Sequence, residues 1–80
     1  MMNRIDLKLI KNATGEELVL KYCIVQSIMI TSKDIKIPVE EGDFLHHSLP
    51  DGIVEKYVID EVISNKDTNP HYEIYVSKLN

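Results

Sequence analysis

Of the residues from which many catalytic and binding sites are built, this 80-residue chain has few: one cysteine, one arginine, three glycines, one phenylalanine and no tryptophan. Each scarcity excludes something. The single Cys23 cannot form an internal disulfide and no run resembles a signal peptide, so a reducing, cytoplasmic setting is expected. Gly15, Gly42 and Gly52 stand singly in turn contexts, and no phosphate-cradling loop can be assembled from them. Arg4 is the only arginine, the lysines are scattered from Lys8 to Lys78, and acids outnumber bases to leave a net charge of −4. Nucleic-acid backbones are held by clustered Lys and Arg that displace counterions, so nucleic acid is disfavoured as a partner, although a fold can still gather a few lysines in one patch. The longest apolar stretch, residues 23–30, is interrupted by Gln26 and Ser27 and falls well short of the ~20 residues a membrane-spanning helix needs.

What is present is β-forming sequence. Residues 43–59 read as a central hairpin. Pro50 presets φ at the first corner of its turn, Asp51 tolerates the second, and Gly52 can take the positive φ that a following bulge demands. Both arms are rich in β-branched and aromatic residues, and the second is long enough, from 53 to about 63, that it must bend. Before the hairpin, residues 4–11 alternate with Ile5, Leu7 and Leu9 on one face and Asp6 and Lys8 on the other. Asn12-Ala13-Thr14-Gly15 turns the chain into a second strand, about 17–24, in which Leu18, Leu20 and Tyr22 alternate with Val19, Lys21 and Cys23. A helix over 16–31 is the alternative for this stretch, and the density of Val, Ile, Thr and Tyr opposes it. A short strand over 28–31 follows. Ile35, Ile37 and Val39 then share one side of an extended run, with Pro38 at an edge or strand end because it lacks an amide hydrogen. Residues 64–70 form a polar loop, and 71–79 alternate again, Tyr72, Ile74 and Val76 against Glu73, Tyr75 and Ser77.

Candidate chemistry is sparse. His46, His47 and His71 with Cys23 are zinc-ligand types, but adjacent histidines on a strand point to opposite faces, so they read instead as a polar strand face. His71 is better placed to anchor the start of the last strand through a loop carbonyl. Glu40, Glu41 and Asp43 lack the ligand alternation of a calcium loop, and Asp43 after Gly42 is read as capping the turn through backbone amides. Cys23 lies within an apolar strand and Ser48 has no base at a telling spacing, which argues against nucleophilic catalysis. Phe44, Tyr22, Tyr57, Tyr72 and Tyr75 could stack bases, but on an acidic chain they read first as core and interface packing.

Ile37-Pro38-Val39-Glu40-Glu41-Gly42-Asp43, Leu49-Pro50-Asp51-Gly52, Glu55, Tyr57, Val58 and His71-Tyr72-Glu73-Ile74-Tyr75-Val76, preceded by Val25-Gln26-Ser27, together carry a resemblance. The chain resembles a small all-β module of bacterial and prophage-encoded proteins in which a Gly-Asp strand, a Leu-Pro-Asn-Gly turn, a Glu-x-Tyr strand and a His-Tyr strand follow one another. It departs from that pattern with His46-His47 where a basic residue is commoner and Asp51 where Asn is commoner, which weakens any anion-binding role for those positions. A fainter similarity is to phage head-to-tail connector β-barrels.

The sequence therefore predicts a single small domain over 1–80, an all-β antiparallel barrel or sandwich of six to seven strands with a central hairpin at 43–59. A chain this short buries a modest core, and a partner surface is its leading supplement. The expected function is non-enzymatic: a protein-interaction or adaptor module of phage or prophage type, using a strand edge or apolar patch against itself or a larger protein. No membrane, small-molecule substrate, metal or cofactor is implied, and the alternative is a single-stranded nucleic-acid-binding barrel. Gly42, Asp43, Pro50, Asp51 and Gly52 are the expected structural turn residues, and Phe44, His46, Tyr57, His71, Tyr72 and Tyr75 the expected interaction surface.

Overall fold

The computed structural model describes residues 3–79, and among them it has six strands and no helix. In chain order they are β1 (Ile5–Ile10), β2 (Glu17–Val25), β3 (Met29–Ser32), β4 (Phe44–Ser48), β5 (Val54–Asn65) and β6 (His71–Lys78). Every neighbouring pair is antiparallel, and the sheet closes on itself in the order β1-β2-β3-β6-β5-β4. Alternation explains the core. Leu7 and Leu9 from β1, Leu20 from β2, Ile30 from β3, Leu45 from β4, Ile59 from β5 and Ile74 from β6 point inward and are almost fully buried. Each such side chain contributes roughly 1.5–3 kcal/mol through removal of apolar surface from water.

Six strands close this barrel because the two longest are bent by bulges. In β5, Ile59 faces Val76 and Glu61 faces Tyr75, so Asp60 is an extra residue and the strand turns there. In β2, Leu20 faces Leu7 whereas Cys23 faces Ile5, which places both Lys21 and Tyr22 across from Asp6. Tyr22 takes φ 58°, a left-handed conformation that costs a bulky residue about 1–3 kcal/mol. The strict alternation expected for β2 fails at this point. Leu20 and Cys23 both face inward, and Tyr22 is turned out to solvent.

The central hairpin is as the turn chemistry predicts. Gly52 N donates to Leu49 O at 3.1 Å across Pro50 and Asp51, Gly52 has φ 88°, and Leu49 N donates to Ile53 O at 2.8 Å, which is a tight turn followed by a one-residue bulge. Asp51 Oδ1 also accepts from Ile53 N at 3.1 Å. The arms pair from Phe44 with Val58 to Ser48 with Val54.

Residues 35–39, expected to be extended and strand-like, form no strand. Pro38 has no amide hydrogen, and the segment is held by other means: Tyr72 Oη donates to Ile37 O at 2.8 Å, and Val39 is buried while Ile35 and Ile37 pack on the core. The side-chain periodicity was real; the backbone ladder was not. The loop expected at 64–70 is also shorter, since Ser64 and Asn65 pair with Tyr72 and His71 and belong to β5.

The connection from β3 to β4 is pinned by a buried ion pair. Lys11 Nζ bonds Asp43 Oδ2, Glu40 Oε1 at 2.9 Å and Pro38 O at 3.0 Å, and Asp43 also accepts from Asn12 N and Glu40 N, each at 3.0 Å. Asp43 thus caps the turn as expected, with a lysine added. Burial opposes its charge, but Lys11 and the backbone amides outweigh that and hold its carboxyl below the usual range. Lys11 is likewise disfavoured by burial, and its bonds to Asp43 and Glu40 more than compensate, so its pKa is raised.

Candidate functional site

The expected interaction residues do not share one surface. Tyr57 and Tyr72 are 5% and 8% exposed and line the barrel interior, which removes them from any docking face and corrects that expectation. Their inward direction follows from sharing a strand face with Ile59 and with Ile74 and Val76. Phe44 and His46 project outward from β4, where Phe44 stands between Ile10 and Val58 and His46 between Lys8 and Lys56. Burial, then Lys56 and Lys8, push the His46 pKa down, so His46 is neutral at physiological pH. His71 donates from Nδ1 to Asn69 O at 2.6 Å, the anchoring role expected of it. Tyr75 projects outward from β6 between Met29 and Glu61.

One polar group escaped the sequence reading. Glu55 and Tyr57 both face inward near the start of β5, His47 lies opposite Glu55, and Lys78 lies opposite Tyr57. Glu55 Oε1 accepts from His47 Nδ1 at 3.1 Å and Tyr57 Oη at 3.2 Å, and Oε2 accepts from Lys78 Nζ at 2.8 Å. Lys78 chiefly, with His47 and Tyr57, lowers the Glu55 pKa; burial and the Glu55 charge raise that of Tyr57. A carboxylate whose pKa is lowered takes up a proton poorly, and a phenol whose pKa is raised gives one up poorly, so the group is ill suited to acid–base work. Strand alternation placed Glu55 and Tyr57 on one side, but nothing local in the sequence brings Lys78 to them.

The other reactive groups are equally quiet. Burial pushes the Cys23 thiol up to about 11, and Cys23 Sγ lies 3.3 Å from Leu20 O, so it is a packed thiol rather than a nucleophile. Among the described residues no three His, Cys, Asp or Glu side chains are grouped closely enough to hold a metal ion.

The feature left open is backbone. β4 pairs with β5 only as far as Val58, and the bonds of Gly42 and Asp43 to Ile59 complete that side. Beyond the Asp60 bulge, residues 61–65 pair with β6 alone, and no backbone bond to any other described residue covers their second side. Ile63 projects outward here and is 41% exposed, Val62 packs inward, and Tyr75 flanks Glu61 on the outer face. An uncovered strand side without proline is a template for another strand.

No family model, curated protein or solved structure matches this chain. No helix among the described residues is long and apolar enough to cross a membrane.

Proposed function

We propose that the chain is a non-enzymatic protein-interaction module that joins a second copy of itself through the uncovered side of β5. The carrying observation is that, among the described residues, 61–65 lack a strand on one side in a barrel otherwise closed. Two such segments meet antiparallel about Ile63 without conflict: Ile63 faces its own copy, Val62 faces Ser64, Glu61 faces Asn65, and the flanking Asp60 meets Lys66. Like charges are absent from every pair, and Ile63 loses its exposure. Main-chain bonds supply the affinity in this mode, and the side-chain pairs supply the register. A cytoplasmic setting keeps Cys23 reduced, and the resemblance to prophage-encoded modules agrees with a small assembling part.

The nucleic-acid alternative is weakened, because Tyr57 and Tyr72 are withdrawn from any stacking platform. Sedimentation equilibrium tests the leading reading. A wild-type mass approaching twice 9.2 kDa with rising concentration is expected, and Ile63→Lys should return the monomer, because two lysines then face each other at the two-fold axis, with a Tm equal to that of the wild type at dilutions where the wild type is itself monomeric. A wild-type monomer at every concentration would overturn it, as would an unchanged dimer in the Ile63→Lys variant.

A further inference from the structure

On a chain with net charge −4, one pocket is lined without a carboxylate. It has a volume of about 250 Å³ and walls formed by Arg4, Thr31, Lys33, Asn69 and His71. These residues come from the lead into β1, the end of β3 and the start of β6, segments far apart in sequence. Scattered charges gave no basic stripe; the barrel collects two of them. Neither Arg4 nor Lys33 forms an ion pair with any described residue, so both charges are available to a ligand.

The strained bulge in β2 helps to assemble this wall. Arg4 Nη1 donates to Tyr22 O at 2.9 Å, and Lys33 N donates to the same carbonyl at 3.4 Å. The left-handed Tyr22 therefore ties both cation-bearing residues to one atom. A guanidinium carries five N–H donors, and this bond leaves most of them free. On the opposite wall, Asn69 O accepts from His71 Nδ1 at 2.6 Å, which fixes the imidazole and directs its Nε2 elsewhere. Glu73 is the adjoining carboxylate: it lies opposite Thr31 in the sheet, and its Oε2 is 3.6 Å from His71 Nε2.

We infer that this pocket binds the phosphate group of a free or esterified phosphate dianion. Two positive side chains match its charge, one of them, Arg4, held in place by its bond to the Tyr22 carbonyl. With hydroxyl-bearing Thr31 and amide-bearing Asn69 lining the same pocket as Arg4 and Lys33, the lining offers more donors than a planar carboxylate can use and suits the oxygens of a phosphate. The volume lies below the range of pockets that enclose drug-sized ligands, so the site takes a small ion or the end of a larger molecule. This inference is independent of pairing through β5, which uses other residues.

The test is titration of the full chain with sodium phosphate against sodium chloride at matched ionic strength, followed by Tm and by amide NMR shifts. Expected are a saturable rise in Tm with phosphate alone and shifts centred on Thr31, Lys33 and Asn69. Lys33→Gln, which keeps the Arg4 bond to Tyr22, should weaken binding at least tenfold, and Arg4→Gln more. Glu73→Gln should tighten it severalfold by removing the neighbouring negative charge. Adenosine 5′-monophosphate and adenosine distinguish the sources: a monophosphate binding more tightly than the inorganic ion, with adenosine inert, identifies an ester, and equal binding of the two phosphates identifies the free group. No saturable response of the wild type beyond chloride would overturn the inference, as would a response unchanged in Lys33→Gln.

Discussion

Gly52 and Tyr22 both occupy positive φ, at 88° and 58°, and they carry it for opposite reasons. At Gly52 no atom lies within 4 Å of where a Cβ would stand, so a side chain there meets backbone strain and no collision. Gly52→Val is expected to cost about 1–3 kcal/mol in urea unfolding, because a β-branched residue resists this conformation. Gly52→Asn should lose much less, since Asn tolerates it, and equal losses would show that the turn is held by something other than φ. The glycine announced its conformation in the sequence, since Pro-Asp-Gly is a turn with a mechanism. Tyr22 announced nothing. Its alternation with Leu18 and Leu20 spoke for an inward ring, and the bulge that reverses it depends on a register with β1 that only the folded sheet imposes.

At the scale of elements, the β3–β4 connection depends on the Lys11–Asp43 pair more than on regular structure. Removing the Asp43 charge leaves Lys11 with Glu40, a largely exposed carboxylate, and the Pro38 carbonyl as its remaining partners, so Asp43→Asn is expected to destabilise by about 1–3 kcal/mol. The pH dependence has a definite sign. Asp43 has a folded pKa below its unfolded value near 3.8, so its contribution is present above that pH and is lost as pH falls through the folded value. Wild-type stability should therefore decline below about pH 4, with the decline reduced in Asp43→Asn, as read from urea midpoints across pH. Asp43 as an amide acceptor was legible from its place after Gly42. Lys11 was not, because a lysine following a strand reads as solvated until Glu40 and Asp43 are brought around it. Residues 35–39 show the converse, a periodicity that places Val39 inward while Pro38 and the Tyr72 hydroxyl decide the backbone.

For the whole molecule, strand number, antiparallel pairing and the long bent arm of the hairpin were legible, because each rests on local alternation or turn chemistry. Closure was not. The β1–β4 and β3–β6 pairings join segments distant in the chain, and no local pattern specifies them. The site residues suffered most from this: Arg4, Thr31, Lys33, Asn69 and His71 become neighbours only when β6 lies against β3. The same non-local pairing makes folding slow for a chain of this size. Refolding from urea, followed by tyrosine fluorescence after rapid mixing, is expected on the millisecond-to-second scale, and completion within microseconds would contradict the dominance of these pairings.

β6 lies between β3 and β5, and its Tyr72, Ile74 and Val76 fill the barrel they complete. An opening that peels β6 away therefore breaks two seams at once, one with β3 and one with β5. Ile30 and Ile59 then lose Ile74 and Val76, the residues they face across those seams, and both flanks of the gap become bare strand. The last strand is thus a keystone: it leaves only when the whole wall does, and the amides of residues 72–76 should exchange with solvent at the rate of global unfolding.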